Sequence, residues 1–270
     1  MQSINLQNII ALALRAGKAI MEVYESGDFQ TTLKSDSSPL TRADKQSHRI
    51  IVEGLSNLYP QIPIISEEGL QIPFKVRERW KEFWLIDPLD GTKEFVKRNH
   101  QFTVNIALIR YKYPVLGVVY APALQTLYFA DEKGAYKQLD GELPFKLVVP
   151  HYPNYYSLRS VSSENESQST EILIKKALEV KTHTKIGSSL KFCLLAENKA
   201  DYYVRNKPLM EWDAAAGQAI LETSGGRVYD AQGNRLSYNT ETMMFEKLFA
   251  IGYQQNDGIG WKTLQNISLS

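Results

Sequence analysis

A single cysteine, Cys193, is all the thiol chemistry the chain has, so no internal disulfide can form and a zinc site built on several cysteines is excluded. Such usage fits a reducing compartment. Long apolar runs are missing as well. No stretch approaches the roughly 18 residues that span a bilayer, and Arg15 and Lys18 interrupt the apolar positions near the N-terminus, so no secretory leader is expected. The expected location is the cytoplasm, with peripheral contact at the cytoplasmic face of an inner membrane left open. Neither sign of charge is in excess: 31 Lys and Arg against 30 Asp and Glu leave +1, which withholds the positive field that general nucleic-acid binding draws on. The expected partner is a small molecule, not a nucleic acid. Internal repeats and low-complexity tracts are also lacking. What the chain does have is 43% apolar residues over 270 positions, enough for a large core in one compact unit or two closely apposed lobes.

Periodicity supplies the elements. Ile9, Leu12, Ala13, Ala16, Ile20 and Val23 predict a helix over 6–24 with Gly27 past its end, and Ile50, Ile51, Leu55 and Leu58 predict a second helix ended before Pro60. Residues 62–65 read as a strand delivering Ser66-Glu67-Glu68-Gly69. Residues 83–86 read as another, stopping at Asp87-Pro88 because proline cannot continue a ladder inside a sheet. Strands follow over 103–109, 115–120 and 126–130. The proline-bearing segment 140–155 is the expected passage between an N-terminal lobe, 1–150, and a C-terminal lobe, 151–270. Beyond it the pattern gives a strand over 158–162, helices over 170–178 and 190–198, a strand over 201–204 and a helix over 214–223.

Four acids stand out, Glu67, Asp87, Asp90 and Asp213, since three follow apolar runs and the fourth opens a helix. Hard oxygen donors of this kind suit magnesium. The spacing Asp87-x-x-Asp90 brings two carboxylates into one small volume with the Leu89 carbonyl between them, a crowding that is costly without a cation. By local pattern alone, Asp87-Pro88 with Asp90-Gly91 reads equally as an ordinary surface turn, Glu67-Glu68 as a solvated acidic loop, and Asp213 as the N-cap of its helix. Gly91-Thr92-Lys93-Glu94-Phe95 reads as a helix entry whose free amides could hold a phosphate oxygen. Thr92 and Asp44 form a candidate pair in which a hydroxyl orients a water and a carboxylate takes its proton; each also serves as a helix-start residue. Gly187-Ser188-Ser189 with Lys191 reads either as a phosphate- or ribose-binding segment or as a turn entering a helix capped by Ser188.

Together, Ser66-Glu67-Glu68, Trp84-Leu85-Ile86-Asp87-Pro88-Leu89-Asp90-Gly91-Thr92 and Trp212-Asp213-Ala214-Ala215-Ala216-Gly217 resemble the inositol monophosphatase-like superfamily of lithium-sensitive phosphatases. Residues 90–99 and 187–193 look most like its 3'(2'),5'-bisphosphate nucleotidase branch. The resemblance spans nearly the whole chain and implies an α/β fold, a layered αβαβα sandwich of the inositol monophosphatase and fructose-1,6-bisphosphatase type. It further implies hydrolysis of 3'-phosphoadenosine 5'-phosphate to AMP and phosphate, in sulfur metabolism, with two or more Mg2+ ions. By that resemblance Glu67, Asp87 and the Leu89 carbonyl hold one ion, and Asp87, Asp90 and Asp213 hold a second. Thr92 with Asp44 activates water, and the Gly91 and Thr92 amides receive the scissile phosphate. Substrate contacts fall on Glu67, Leu89, Asp90, Gly91, Thr92, Gly187, Ser188, Ser189, Lys191 and Asp213. One departure concerns the nucleotide: the branch commonly carries a Ser-x-Ser-His-like segment, and Val161-Ser162-Ser163-Glu164-Asn165 has no histidine. The alternatives are an inositol- or sugar-phosphate phosphatase of the same superfamily, or a nucleotide-binding protein without catalysis.

Overall fold

The computed structural model of the chain describes residues 3–33, 39–151, 157–163 and 180–254. The apolar stripe from Ile9 to Val23 is the buried face of α1 (Leu6–Ser26), which Asn5 caps by accepting from the Gln7 amide at 3.0 Å. Gly27 ends it at φ +71°, the left-handed conformation that glycine adopts without strain. A two-residue hairpin pair, β1 (Thr32–Leu33) and β2 (Pro39–Leu40), leads to α2 (Arg42–Leu58). This helix starts well before the apolar pattern suggests, at a capping box in which Asp44 accepts from the Thr41 amide at 2.7 Å.

Seven strands form the first sheet in sequence order: β3 (Ile64–Ser66), β4 (Glu82–Asp90), β5 (Thr103–Arg110), β6 (Tyr113–Ala121), β7 (Thr126–Asp131), β8 (Gly134–Leu139) and β9 (Phe145–Leu147). Only β3 and β4 run parallel. Trp84, Ile86, Val104, Ile106 and Val118 pack towards α1 and α2, while Phe83, Leu85, Ala107, Ile109 and Val119 join the core on the opposite face. Burial on both faces is why these strands read as continuous apolar runs.

One expectation needs correcting, because β4 does not stop at Asp87-Pro88 but runs on to Asp90. Strand β3 ends with Ser66 opposite Ile86, and the register against β5 shifts between Asp87 and Asp90. Pro88 falls in that irregularity, where no ladder donor is asked of it.

Short helices α3 (Phe74–Arg77) and α4 (Thr92–Val96) flank β4. The second sheet has the order β11-β10-β12-β16-β14, from β10 (Arg159–Ser162), β11 (Thr182–Lys185), β12 (Tyr202–Arg205), β14 (Arg227–Tyr229) and β16 (Leu248–Ile251); β13 (Leu209–Met210) and β15 (Met244–Phe245) pair separately. Between the two sheets lie α5 (Leu190–Ala196) and α6 (Glu211–Thr223). Helix α6 sits flush on the first sheet: a Cβ at Gly117 would come 2.5 Å from the Ala216 carbonyl oxygen, and one at Gly217 would come 2.5 Å from the Phe192 ring. The described residues thus stack as α, β, α, β. The helix expected over 170–178, which would add the outer α layer, lies outside them, as do Glu164 and Asn165. Within the expected passage 140–155, β9 still pairs with β8, and the Val149 amide donates to the Ser224 carbonyl at 2.9 Å. Among the described residues no helix is long and apolar enough to cross a membrane.

Candidate active site

Parallel pairing of β3 with β4 brings two acidic segments side by side, and the Glu67 amide donates to the Ile86 carbonyl at 3.1 Å. From the other side, the third residue of α6 contributes Asp213, whose carboxylate accepts from the Met210 amide at 3.2 Å. Asp213 is therefore not the N-cap expected from sequence; it lies in the first turn, where the helix dipole still favours a negative charge. Carboxylate oxygens of Glu67, Asp87 and Asp213 all fall within 4.8 Å of one another. Asp87 is fully buried, and its carboxylate also accepts from the Leu89 amide at 3.0 Å.

Burial first, then the neighbouring charges of Glu67, Asp90 and Asp213, pushes the Asp87 carboxyl well above the usual carboxylate range. Asp213 is raised likewise, by burial and then by Asp90 and Glu67. Burial raises Asp90 too, opposed by Lys191 and by hydrogen bonds from Ser189 and Asn105. Three acids with raised pKa values around one volume, all hard oxygen donors, fit a divalent cation of the magnesium class. A positive ion there relieves the repulsion that otherwise holds protons in the cluster.

Helix α2 registers the whole acidic half. Asp44 Oδ2 accepts from the Thr41 hydroxyl at 2.6 Å, and its Oδ1 lies 3.2 Å from Thr92 Oγ1, which is also 3.3 Å from the Leu89 carbonyl oxygen. The expected pairing of Asp44 with Thr92, 48 residues apart, is therefore present in the geometry. Three and four residues along the same face, Ser47 donates to the Pro88 carbonyl at 2.6 Å and His48 Nδ1 meets Ser66 Oγ at 2.9 Å. Sequence reading missed Ser47 and His48. The capping box at Thr41 was the signal, since a helix starting there puts Asp44, Ser47 and His48 on one face.

Gly91 caps α4 at φ +90°, and the first intrahelical bond runs from the Phe95 amide to the Gly91 carbonyl at 2.9 Å. The amides ahead of it have no acceptor within the helix. Beside them opens a cleft of about 340 Å³, lined by Asp90, Gly91, Lys93 and Asp213 and by Gly187, Ser188 and Lys191. Ser163, Arg205 and Lys207 also line it and were not anticipated as contacts; Arg205 donates to Ser163 Oγ at 2.9 Å. Ser163 follows β10, in the segment noted for its missing histidine, whereas the sequence signal for Arg205 and Lys207 was the end of the strand that became β12. Ser188 does not cap α5, since Ser189 holds that position; Ser188 has φ +52° and a buried hydroxyl with no hydrogen-bond partner among the described residues. Lys191 is buried 5.5 Å from the Tyr203 ring centre, and burial pushes its ammonium pKa down against the opposing pull of Asp90.

Ser189 sits behind the cleft wall instead of on it. It is 1% exposed, its Oγ lies 3.0 Å from Asp90 Oδ2 and 2.8 Å from the Asp213 carbonyl, and it accepts from Asn105 at 2.8 Å. Leu89 is likewise buried in the α1 and α2 core, leaving its carbonyl as its contribution to the site.

The family model for the inositol monophosphatase family matches residues 4–266. The 3'(2'),5'-bisphosphate nucleotidase CysQ of Salmonella typhimurium is 46% identical over 86% of this chain and 93% of its own length. The CysQ nucleotidase of Haemophilus influenzae is 34% identical over 96% of both. The crystal structure of CysQ from Bacteroides thetaiotaomicron, 38% identical, superposes with a TM-score of 0.80, covering 93% of this chain and 98% of that one. The layered fold, the acidic cluster gathered from the end of β3, from β4 and from α6, and these matches over nearly the whole length agree: the chain belongs to the inositol monophosphatase family.

Proposed function

We propose that this protein is a magnesium-dependent phosphomonoesterase that hydrolyses 3'-phosphoadenosine 5'-phosphate, and 3'(2'),5'-bisphosphate nucleotides generally, to the nucleoside monophosphate and phosphate. The observation that carries the reading is the juxtaposition of Glu67, Asp87 and Asp213 oxygens within 4.8 Å with a cleft that Asp213 also lines, together with Lys93, Lys191, Arg205 and Lys207. A metal-type acidic cluster and four cationic side chains on one cleft match a substrate with two phosphates better than one with a single phosphate. The CysQ relatives carry that substrate class in their names. A cytoplasmic location, with Cys193 kept as a thiol, belongs to the same reading.

Glu67, Asp87, Asp90, Asp213 and the Leu89 carbonyl would hold the magnesium, two or more ions. Bound there, magnesium supplies charge neutralisation of the phosphoryl group and acidifies water. The protein's own groups do the rest. Asp44 Oδ1 accepts the Thr92 hydroxyl proton, which leaves the Thr92 oxygen free to accept one from the attacking water. The Gly91 and Thr92 amides receive phosphoryl oxygens whose charge grows as the water oxygen bonds to phosphorus and the ester bond to the ribose oxygen breaks. That ribose oxygen leaves with a proton taken from solvent, so water is added across the ester. Lys191, Arg205 and the Ser188 hydroxyl, which line the same cleft, bind the second phosphate.

Phosphate release from 3'-phosphoadenosine 5'-phosphate, inositol 1-phosphate and fructose 1,6-bisphosphate, each with and without magnesium, tests this. The nucleotide should be fastest, and only with the metal. Faster release from inositol 1-phosphate overturns the substrate assignment.

A further inference from the structure

The loop between α4 and β5 contains two non-glycine residues in the left-handed region, Arg98 at φ +58° and His100 at φ +68°. Such conformations persist only where the surroundings over-determine them. Here the Arg98 guanidinium stacks 4.7 Å from the Tyr24 ring centre and 5.9 Å from that of Phe29, and His100 meets Tyr24 edge-on at 5.6 Å. Tyr24 in turn packs on Phe95 and Phe102. The loop is thus pinned to α1 from below.

What it presents upward is Gln101. Its amide donates to Asn99 Oδ1 at 3.0 Å, and its side-chain Oε1 accepts from the Gly187 amide at 2.7 Å, across 86 residues of sequence. Its backbone carbonyl is wedged between the two cleft walls: a Cβ would come within 3.0 Å of it at Gly91 and within 2.8 Å at Gly187. One residue therefore touches the segment holding the first phosphate and the segment holding the second, without lining the cleft itself.

We infer that Gln101 is a positioning residue for substrate selection, setting the separation of the Gly91 and Gly187 walls so that a molecule carrying two phosphates spans them. This rests on the bisphosphate reading above. A substrate with only the scissile phosphate needs the Gly91 wall alone and is indifferent to that spacing. A second tie joins the same two segments nearer the acids, where Ser189 Oγ lies 3.0 Å from Asp90 Oδ2 and accepts from Asn105 at 2.8 Å; Gln101 hydrogen-bonds neither Glu67, Asp87 nor Asp213 and acts on the Gly91 and Gly187 backbone.

Gln101→Met keeps the length and apolar stem but removes the acceptor, and Gln101→Glu keeps an acceptor. For the magnesium-loaded enzyme, Gln101→Met should raise KM for 3'-phosphoadenosine 5'-phosphate about five- to tenfold, the effect of one lost buried hydrogen bond, with kcat changed less than about twofold. KM for 3'-AMP, which lacks the 5'-phosphate, should stay within about twofold. A purely structural role would move both substrates together. A selectivity ratio in Gln101→Met within twofold of wild type overturns the inference. Hydrogen exchange across residues 186–190 reads the same contact without substrate: faster in Gln101→Met, protected as in wild type in Gln101→Glu. Unchanged exchange in Gln101→Met also overturns it. If wild type shows no preference for the bisphosphate, the substrate reading fails, and Gln101 as selector falls with it even where exchange still reports the contact.

Discussion

The two walls of the cleft are built differently. The acidic wall, with Asp90 on the cleft and Glu67, Asp87 and Thr92 beside it, consists of strand ends and a helix start, and one helix face secures it through Asp44, Ser47 and His48. Across the cleft, Gly187, Ser188 and Lys191 lie on a turn and a short helix, with Ser188 in a left-handed conformation and its hydroxyl unpartnered. Groups that must hold several like charges at fixed separations need a rigid frame, because small displacements change their repulsion steeply. Groups that read a ligand can leave capacity unfilled until the ligand supplies it. Rate should therefore be set by the first wall, and selectivity by the second.

The sharpest way to break that division is Asp87→Asn. Phosphate release should fall by about three orders of magnitude, comparable with losing a principal electrostatic stabiliser, while circular dichroism stays near wild type and the unfolding midpoint of the metal-free protein does not fall, since the substitution removes one of the crowded charges. Near-wild-type activity would end the assignment of this wall to chemistry. Arg205→Ala probes the opposite side. A lost hydrogen bond to a charged group should raise KM for the bisphosphate about ten- to a hundredfold with kcat nearly intact, and an equal fall in kcat would merge the two walls into one function.

The smallest effect concerns pH. Asp87 and Asp213 have folded-state pKa values above their unfolded ones, so the folded protein binds more protons, and metal-free stability falls as pH rises from the unfolded carboxylate range near about 4 through the raised values. Magnesium replaces those protons. The rise in Tm on adding magnesium should be larger at pH 8 than at pH 5 by a few degrees, and smaller in Asp87→Asn; a shift independent of pH would contradict the crowded-carboxylate account.

Much of this was legible in the sequence because burial imposes a period. Helix α1 and strands β4 to β7 bury so much apolar surface that their patterns show directly. The start of α2 was hidden since its first turns carry Arg42, Asp44, Lys45, Gln46, Ser47 and His48, several of which serve the site and not the core. Passage of β4 through Pro88 was hidden because it depends on where a neighbouring strand ends, which no local pattern records. Three of the four acids were visible after apolar runs and Asp213 at a helix start, but their convergence needed α6 to pack on the sheet, and Arg205 was visible only as a charge after an apolar strand. Ser189 was assigned to the ligand and belongs to the frame behind it.

Gly117 and Gly217 leave α6 no clearance on either side, against the sheet at one and against Phe192 at the other. Asp213 rides on that helix, so its distance from Asp87 is machined by backbone contact with no adjustable spacer between. A methyl group added at residue 117 acts as a shim, and it would reach the chemistry without touching a single catalytic atom. A substitution at residue 117 or 217 would thus act on the chemistry at a distance, through the seat of the helix alone.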